Sequence, residues 1–267
     1  MTTYEQCIVD CIRLQTKFTM ADRICTENYK VATESQKETI IALYEASVTE
    51  YVKKTKDKLI KAFNAIVKWI TDHIKLVKNK FMKVSKKLDD HEEYFKQFAD
   101  VQVDFYEEDR IKYIERELGL VEQQVIRYWK LLEEIIKAKD IDEANELIAV
   151  NNMALENGVG SIKSIMEDLR EKSDTTTKVK FSVVMKYREE HNPVQLQTDL
   201  IEERARIDAI IATLKKYMDS DRDRKHHMVL PYVVNLSKAL MEFANARQYI
   251  RLSMTEKSFK AFTDATK

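Results

Sequence analysis

Apolar side chains follow a helical repeat along the stretch from residue 35 to residue 88, which contains no glycine and no proline. They recur at steps of four and three residues, the spacing of one face of an α-helix. Ser35 with Glu38 has the pattern of a capping box. The sequence therefore predicts one helix over residues 35–88, roughly 80 Å long at about 1.5 Å per residue. Its candidate packing seam consists of Leu59, Phe63, Ile66, Ile70, Ile74, Val77 and Phe81.

Helical periods cover most of the remaining chain as well. Asp90, Asp104 and Asp140 each precede a glutamate by three residues, which is typical of a helix N-terminus. Pro193 and Pro231 stand where a helix can accept proline, in its first turn. Predicted helices cover residues 1–31, 140–157 and 161–172. Another begins at Asp90, with a kink or restart near Asp104, and another ends at Tyr187. The last two begin at Pro193 and Pro231.

Four stretches between these helices are read as turns or links. The polar residues 32–35 precede the long helix, Gly158-Val159-Gly160 has the composition of a C-cap and turn, and Asp219 to His227 is a charged link. Residues 173–177 are the most loop-like, and the division between 1–172 and 173–267 is expected there. Val179, Phe181 and Val183 then alternate with polar residues, but a strand without a partner is unstable, so a helix to Tyr187 is preferred.

The composition favours an all-α fold. The 267 residues include three glycines and two prolines, far below the usual share of roughly 7% and 5%. Folds built from tight turns and hairpins need more of both. Together with the helical periods, this predicts an elongated multi-helix bundle with one very long, amphipathic, lysine-rich helix. Residues 1–172 would form an N-terminal bundle, with residues 173–267 as a C-terminal helical region that could pack on it as one domain.

Charge is unevenly distributed, although the net charge is zero. Residues 51–88 hold twelve lysines and two aspartates, whereas residues 89–122 hold twelve acids and four bases. Either the two blocks neutralise each other as antiparallel helices, or the lysines face an external polyanion such as nucleic acid or an anionic lipid surface. The candidate polyanion-facing residues are Lys53, Lys54, Lys58, Lys61, Lys68, Lys75, Lys78, Lys83, Lys86 and Lys87.

Candidate chemistry is sparse. Cys7, Cys11 and Cys25 lack zinc-ligand partners at a suitable spacing, and we expect buried thiols in a reducing, cytoplasmic setting. No histidine pair has the spacing of metal ligands on one helical face, and neither a phosphate-binding loop nor a nucleophile elbow is present. We expect no metal, no cofactor, no small-molecule substrate and no enzymatic activity. No apolar run approaches the roughly 18 residues of a membrane span, and the N-terminus does not have the pattern of a signal peptide.

The stretch YEASVTEYVKKTKDKLIKAFNAIVKWITDHIKLVKNKF, residues 44–81, resembles helical structural proteins of large tailed bacteriophages. The shared features are a short acidic lead, a lysine-rich helix with paired aliphatic residues, and a Trp-Ile dipeptide. The resemblance implies a multicopy virion component, inside the head or capsid and near packaged DNA. It covers about 40 residues and transfers no site residue.

These observations together predict a non-enzymatic structural or assembly protein. Its partners would be other protein subunits, including copies of itself, with non-specific contact to a nucleic-acid backbone. Lysine without matching arginine suits phosphate contact and not base readout. The alternative is a membrane-binding amphipathic protein, with Trp69 at the lipid interface. The expected setting is a cytoplasmic assembly, or a virion if the phage resemblance holds.

Overall fold

The computed structural model describes residues 3–217 and 229–267 and confirms an all-α protein. Nearly all of the described residues are helical, and a two-stranded sheet is the exception. The helices are α1 Thr3–Val31, α2 Glu34–Leu76, α3 Met82–Asp89, α4 Glu92–Lys96, α5 Glu108–Lys137, α6 Ile141–Asp174, α7 Phe181–Glu190, α8 Pro193–Tyr217 and α9 Leu230–Ala265. The strands are β1 Gln102–Phe105 and β2 Thr177–Lys180.

The long lysine-rich helix is present but interrupted by one π-helical turn. α2 runs into a π-turn at Val77–Phe81, and α3 follows directly. The amide of Met82 donates to the carbonyl of Val77, the wider i to i−5 pairing of a π-turn. The predicted capping box at Ser35 is wrong by two residues. Thr33 is the cap, since the side chain of Gln36 accepts a hydrogen bond of 3.0 Å from the Thr33 amide.

The helices predicted from Asp90 and up to Tyr187 are partly wrong, because each region contains a strand. Between residues 90 and 107 only Glu92–Lys96 is helical, and β1 occupies the place of the expected restart near Asp104. β2 precedes α7 and pairs antiparallel with β1, with Val103 opposite Val179. The strand that lacked an evident partner in the sequence finds one about 75 residues earlier in the chain.

The predicted turn at residues 158–160 is also wrong, because α6 continues through it to Asp174. The expected start of this helix is confirmed. The carboxylate of Asp140 accepts the amide of Glu143 at 2.9 Å, which caps the N-terminus. The start of α8 at Pro193 is likewise confirmed, with Asn192 as its cap. The charged link expected at residues 219–227 lies outside the described residues.

Two compact units make up the chain, and each draws on three segments. The first unit comprises residues 1–67, 127–155 and 206–241, and the second comprises 68–126, 156–205 and 242–267. The division expected near residue 172 does not coincide with these units, because each unit takes segments from both sides of it.

The core of the first unit includes a cluster of Val48, Tyr51, Val52 and Leu230. Phe18 of α1 stacks on the Tyr51 ring with centroids 4.5 Å apart, which joins α1 to α2. The core of the second unit is aromatic. Phe262 of α9 contacts the rings of Phe95 and Phe181 at 5.1 and 4.7 Å in edge-to-face geometry, an arrangement that favours a fixed packing of α4, α7 and α9.

Candidate polyanion-binding surface and buried charge network

The apolar seam of the long helix lies inward. Leu59, Phe63 and Ile66 in the first unit and Ile70, Val77 and Phe81 in the second are all buried, and Ile74 is half-buried. The π-turn keeps Val77 and Phe81 on the buried side, while Lys78 and Lys80 within the same turn are exposed. The apolar face is therefore engaged in folding, and lysine occupies much of the outward face.

Four lysines of the first unit line a basic groove between α1 and α2. This groove encloses about 430 Å³ and carries Arg13, Lys17, Lys54, Lys58 and Lys61 against Asp10 and Asp57. Lys58 donates to Asp10 at 2.5 Å and lowers the pKa of that carboxyl. Lys54 pairs with Glu50 in the next turn of α2. Lys17 and Lys61, by contrast, are exposed and form no ion pair with any described residue.

Exposed lysines also follow the long helix through the second unit. Lys75 lies 3.8 Å from Asp72, and Lys80 donates to Glu256 at 3.0 Å. The remaining five of this unit form no ion pair within the described chain; they are Lys68, Lys78, Lys83, Lys86 and Lys87. Lys53 of the first unit is exposed and unpaired in the same sense. No acidic side chain of the described residues forms an ion pair with these lysines.

The acidic block does not neutralise the lysine helix among the described ion pairs. Four of its twelve carboxylates pair with bases from the segment that contains β2 and α7. Asp100 pairs with Lys180 at 2.8 Å, and Asp104 pairs with Lys178 at 3.0 Å. Glu108 pairs with Lys186, and Asp89 with Arg188. The interpretation of two mutually neutralising helices therefore lacks support in the described ion pairs.

Trp69 is half-buried and packs on the ring of His73, with centroids 4.0 Å apart. The Nδ1 atom of His73 lies 2.7 Å from the carbonyl of Trp69. Trp129 is buried in the first unit, where its ring centroid lies 6.1 Å from that of Phe63. Both tryptophans thus contact other rings of the chain.

The cysteines differ in exposure. Cys7 and Cys11 are buried, and burial raises the pKa of the Cys11 thiol to about 12. Cys25 is half-buried. Cys11 is fully buried and its Sγ lies 3.8 Å from the carbonyl of Thr55, so it serves as a packing residue between α1 and α2.

A cavity of about 260 Å³ lies within the second unit, where α5, the end of α7, α8 and α9 meet. Leu118, Leu196 and Met254 supply apolar walls, and Gly119 leaves one side open because nothing lies within 4 Å of the position that a Cβ would take. The sequence analysis did not predict this cavity, since its walls come from four separate segments.

His191 and Glu115 form an ion pair at this cavity and join the end of α7 to α5. The other ring nitrogen of His191, Nδ1, lies 2.8 Å from the carbonyl of Tyr187. Burial lowers the pKa of His191, but the Glu115 carboxylate and the Tyr187 carbonyl outweigh burial, so this pKa is raised. Both ring nitrogens of His191 are therefore engaged within the chain. The ion pair links α7 to α5 and leaves no ring nitrogen to act as a base toward a ligand.

A charge network with a buried centre, Arg247 and Glu203, lies beside the same cavity. Glu122 of α5 contacts Arg247 at 2.9 Å and Arg251 at 3.5 Å, one turn apart on α9. Arg247 also pairs with Glu203 of α8, and Arg251 pairs with Asp199 at 2.5 Å, one turn away on α8. Three carboxylates and two guanidinium groups thus join α5, α8 and α9.

Within the described residues, no helix is long and apolar enough to cross a membrane, and no group of three or more histidine, cysteine, aspartate or glutamate side chains could hold a metal ion. Comparison of the chain with protein-family models, with curated proteins and with solved structures finds no match.

Proposed function

We propose that this chain is a non-enzymatic structural protein of an assembly, present in many copies, which contacts a polyanion backbone through the outward lysines of its long helix. The phage-like particle implied by the resemblance of residues 44–81 is the setting that we propose for it. The observation that carries the proposal is the set of exposed lysines without an ion pair in the described chain.

Two features of the charge pattern support this function. Four carboxylates of the acidic block pair with bases of β2 and α7, and no described ion pair joins this block to the lysines of the long helix. The cations are lysines, which contact phosphate as point charges without the planar fork by which arginine reads a base edge. Contact with a nucleic-acid backbone of any sequence is the use that fits both features.

Nucleic acid is favoured over lipid because the apolar seam is buried. An amphipathic helix at a membrane surface inserts its apolar face among the acyl chains. Here Phe63, Ile70 and Phe81 lie inside the folded units, and Trp69 packs on His73. Attraction to lipid would therefore rest on lysine charge alone, without insertion.

Retention of duplex DNA across a salt series tests the proposal. A triple variant, K83Q/K86Q/K87Q, removes three unpaired lysines of the second unit. The matched control, K172Q/K180Q/K186Q, removes three lysines that pair with Asp168, Asp100 and Glu108. Each phosphate contact adds roughly 0.9 to the slope of log affinity against log salt. We expect the slope of the first variant to fall by the amount that three phosphate contacts contribute. The control should keep the wild-type slope.

Three outcomes would overturn the nucleic-acid part of the proposal. These are no retention at low salt, retention that does not change with salt, and an equal loss of slope in both triple variants. Flotation with vesicles, with and without anionic lipid, provides the second arm. Co-flotation that depends on anionic lipid, in the absence of DNA retention, would identify a lipid surface as the polyanion.

A further inference from the structure

The hairpin formed by the end of α1 and the start of α2 contains no buried residue. Every side chain from Ile12 to Ser47 is half-buried or exposed, although both helices continue through this stretch. Helices in proteins derive most of their stability from the packing of an apolar face. In the hairpin each of the two helices has an apolar face, but only the other helix of the hairpin covers it, and that cover is partial.

An apolar groove of about 360 Å³ runs along this hairpin, within the first unit. Cys25 and Tyr29 of α1 and Ile40, Ile41 and Tyr44 of α2 form its floor. Ile41 keeps 45% of its surface exposed, which is high for a large aliphatic side chain. A further helix laid in the groove would bury this floor from water.

The rim of the groove carries charges of opposite sign at its two ends. Asp22, Thr26 and Lys30 lie four residues apart on α1, so they form one line along the helix. Lys30 forms no ion pair with a described residue, and Asp22 accepts a hydrogen bond from the hydroxyl of Tyr44. Along this line the charge is negative at Asp22, neutral at Thr26 and positive at Lys30. Positions at equal distances on either side of Thr26 therefore carry opposite charges.

We infer that the groove is a contact between two copies of this chain, with α1 antiparallel to α1 of the second copy across a two-fold axis near Thr26. In this arrangement Asp22 of each copy faces Lys30 of the other, as an isologous interface requires. A parallel arrangement would place each charge against its own kind, which is unfavourable. The residues from Asp22 to Lys30 have no net charge, and Lys37 of α2, which lies over the Tyr29 ring, is paired with Glu34, so the contact favours neither a polyanion nor a polycation.

The inference rests on the multicopy part of the proposed function and is independent of polyanion contact. It is tested by light scattering and sedimentation of the full chain with two single variants, D22K and K30D. Each variant places like charges at both symmetric contacts, so its self-association should weaken about tenfold or more. An equimolar mixture of the two should associate like the wild type, since every contact between them again joins opposite charges.

The matched control is the pair E134K and K130D, which reverses two exposed charges one turn apart on α5, outside the groove and outside the lysine surface. These variants should associate like the wild type, alone or mixed. A wild-type chain that stays monomeric at all concentrations overturns both this interface and the multicopy assembly. A wild type that self-associates, with D22K and K30D unchanged or not rescued by mixing, overturns only this interface. DNA retention reports separately on the lysine surface.

Discussion

Arg247 on α9 donates from Nη2 to Oε2 of Glu203 on α8, and both side chains are buried. Arg247 contacts Glu122 of α5 as well, at 2.9 Å. Removing a charge from water is costly, and only close partners with good geometry offset that cost. The pair therefore fixes the register of α8 against α9 within the second unit, because a shift of either helix by one turn would separate two buried charges.

Truncation of one partner should be far more costly than truncation of both. R247M leaves Glu203 buried without its guanidinium partner, and we expect a loss of about 3–5 kcal/mol in the free energy of unfolding. The double variant R247M/E203M should recover much of this loss, because neither charge then remains inside. Urea unfolding of the wild type, both single variants and the double variant measures the coupling. Additive losses would show that the two side chains contribute independently.

The positions of these charges were visible in the sequence, although their pairing was not. On α8 the apolar positions Leu196, Leu200 and Ile207 continue the stripe on either side of Glu203. On α9 Arg247 stands between Phe243 and Ile250 in the same way. A charge of opposite sign on the stripe of each of two helices indicates a buried ion pair. Which two helices meet is a long-range property that a local period does not carry.

The His191–Glu115 pair should make stability depend on pH. The folded-state pKa of His191 is raised above the ordinary value of 6.5, so the folded state binds the proton on this ring more tightly than the unfolded chain does. The contribution is therefore fully present below about pH 6.5 and is lost as pH rises through the folded-state pKa. H191Q should lose more unfolding free energy at about pH 5 than at about pH 9.

H91Q provides the control for the loss of a histidine side chain. It should change the free energy of unfolding by only a small amount, since His91 is exposed and no ion pair with a described residue holds its ring. NMR titration of the His191 ring gives the folded-state pKa directly. A value at or below 6.5, or a loss in H191Q that does not depend on pH, would contradict the role of Glu115.

Periodicity predicted the helices and failed at the sheet for a physical reason. A helix makes its hydrogen bonds four residues away, so its amphipathic face is written locally. β1 and β2 are four residues each, and their hydrogen bonds join residues 102–105 to residues 177–180. The glycines at 158 and 160 caused the opposite error, because they predicted a turn where the chain is helical. Each costs roughly 1 kcal/mol in a helix, but the Asp140 cap and the buried side chains of Ile162 and Leu169 stabilise α6 around them.

The sheet should depend on its inward residues and not on its outward ion pairs. Phe105 is fully buried and packs edge-to-face on Tyr106 and Tyr187 at 4.8 and 5.2 Å. F105A should cost about 3–5 kcal/mol, from the lost apolar burial and the cavity left behind. D104A, next to it on the outward face, removes the exposed pair with Lys178 and should cost at most about 1 kcal/mol. Comparable losses in the two variants, measured by urea unfolding, would contradict this alternation.

Gly119 should tolerate alanine and gain stability from it. It lies inside α5, where glycine costs roughly 1 kcal/mol relative to alanine through the entropy of the unfolded chain. A Cβ at this position meets no atom within 4 Å, and Gly119 is exposed at the edge of the cavity. We expect G119A to raise the free energy of unfolding by about 0.4–1 kcal/mol.

G160A is the matched control, since Gly160 also lies inside a helix and has equally open surroundings. It should gain a similar amount. A loss of stability in G119A alone would mean that the cavity is narrower there, and that the helices around Glu115 and His191 pack against the bare backbone of α5.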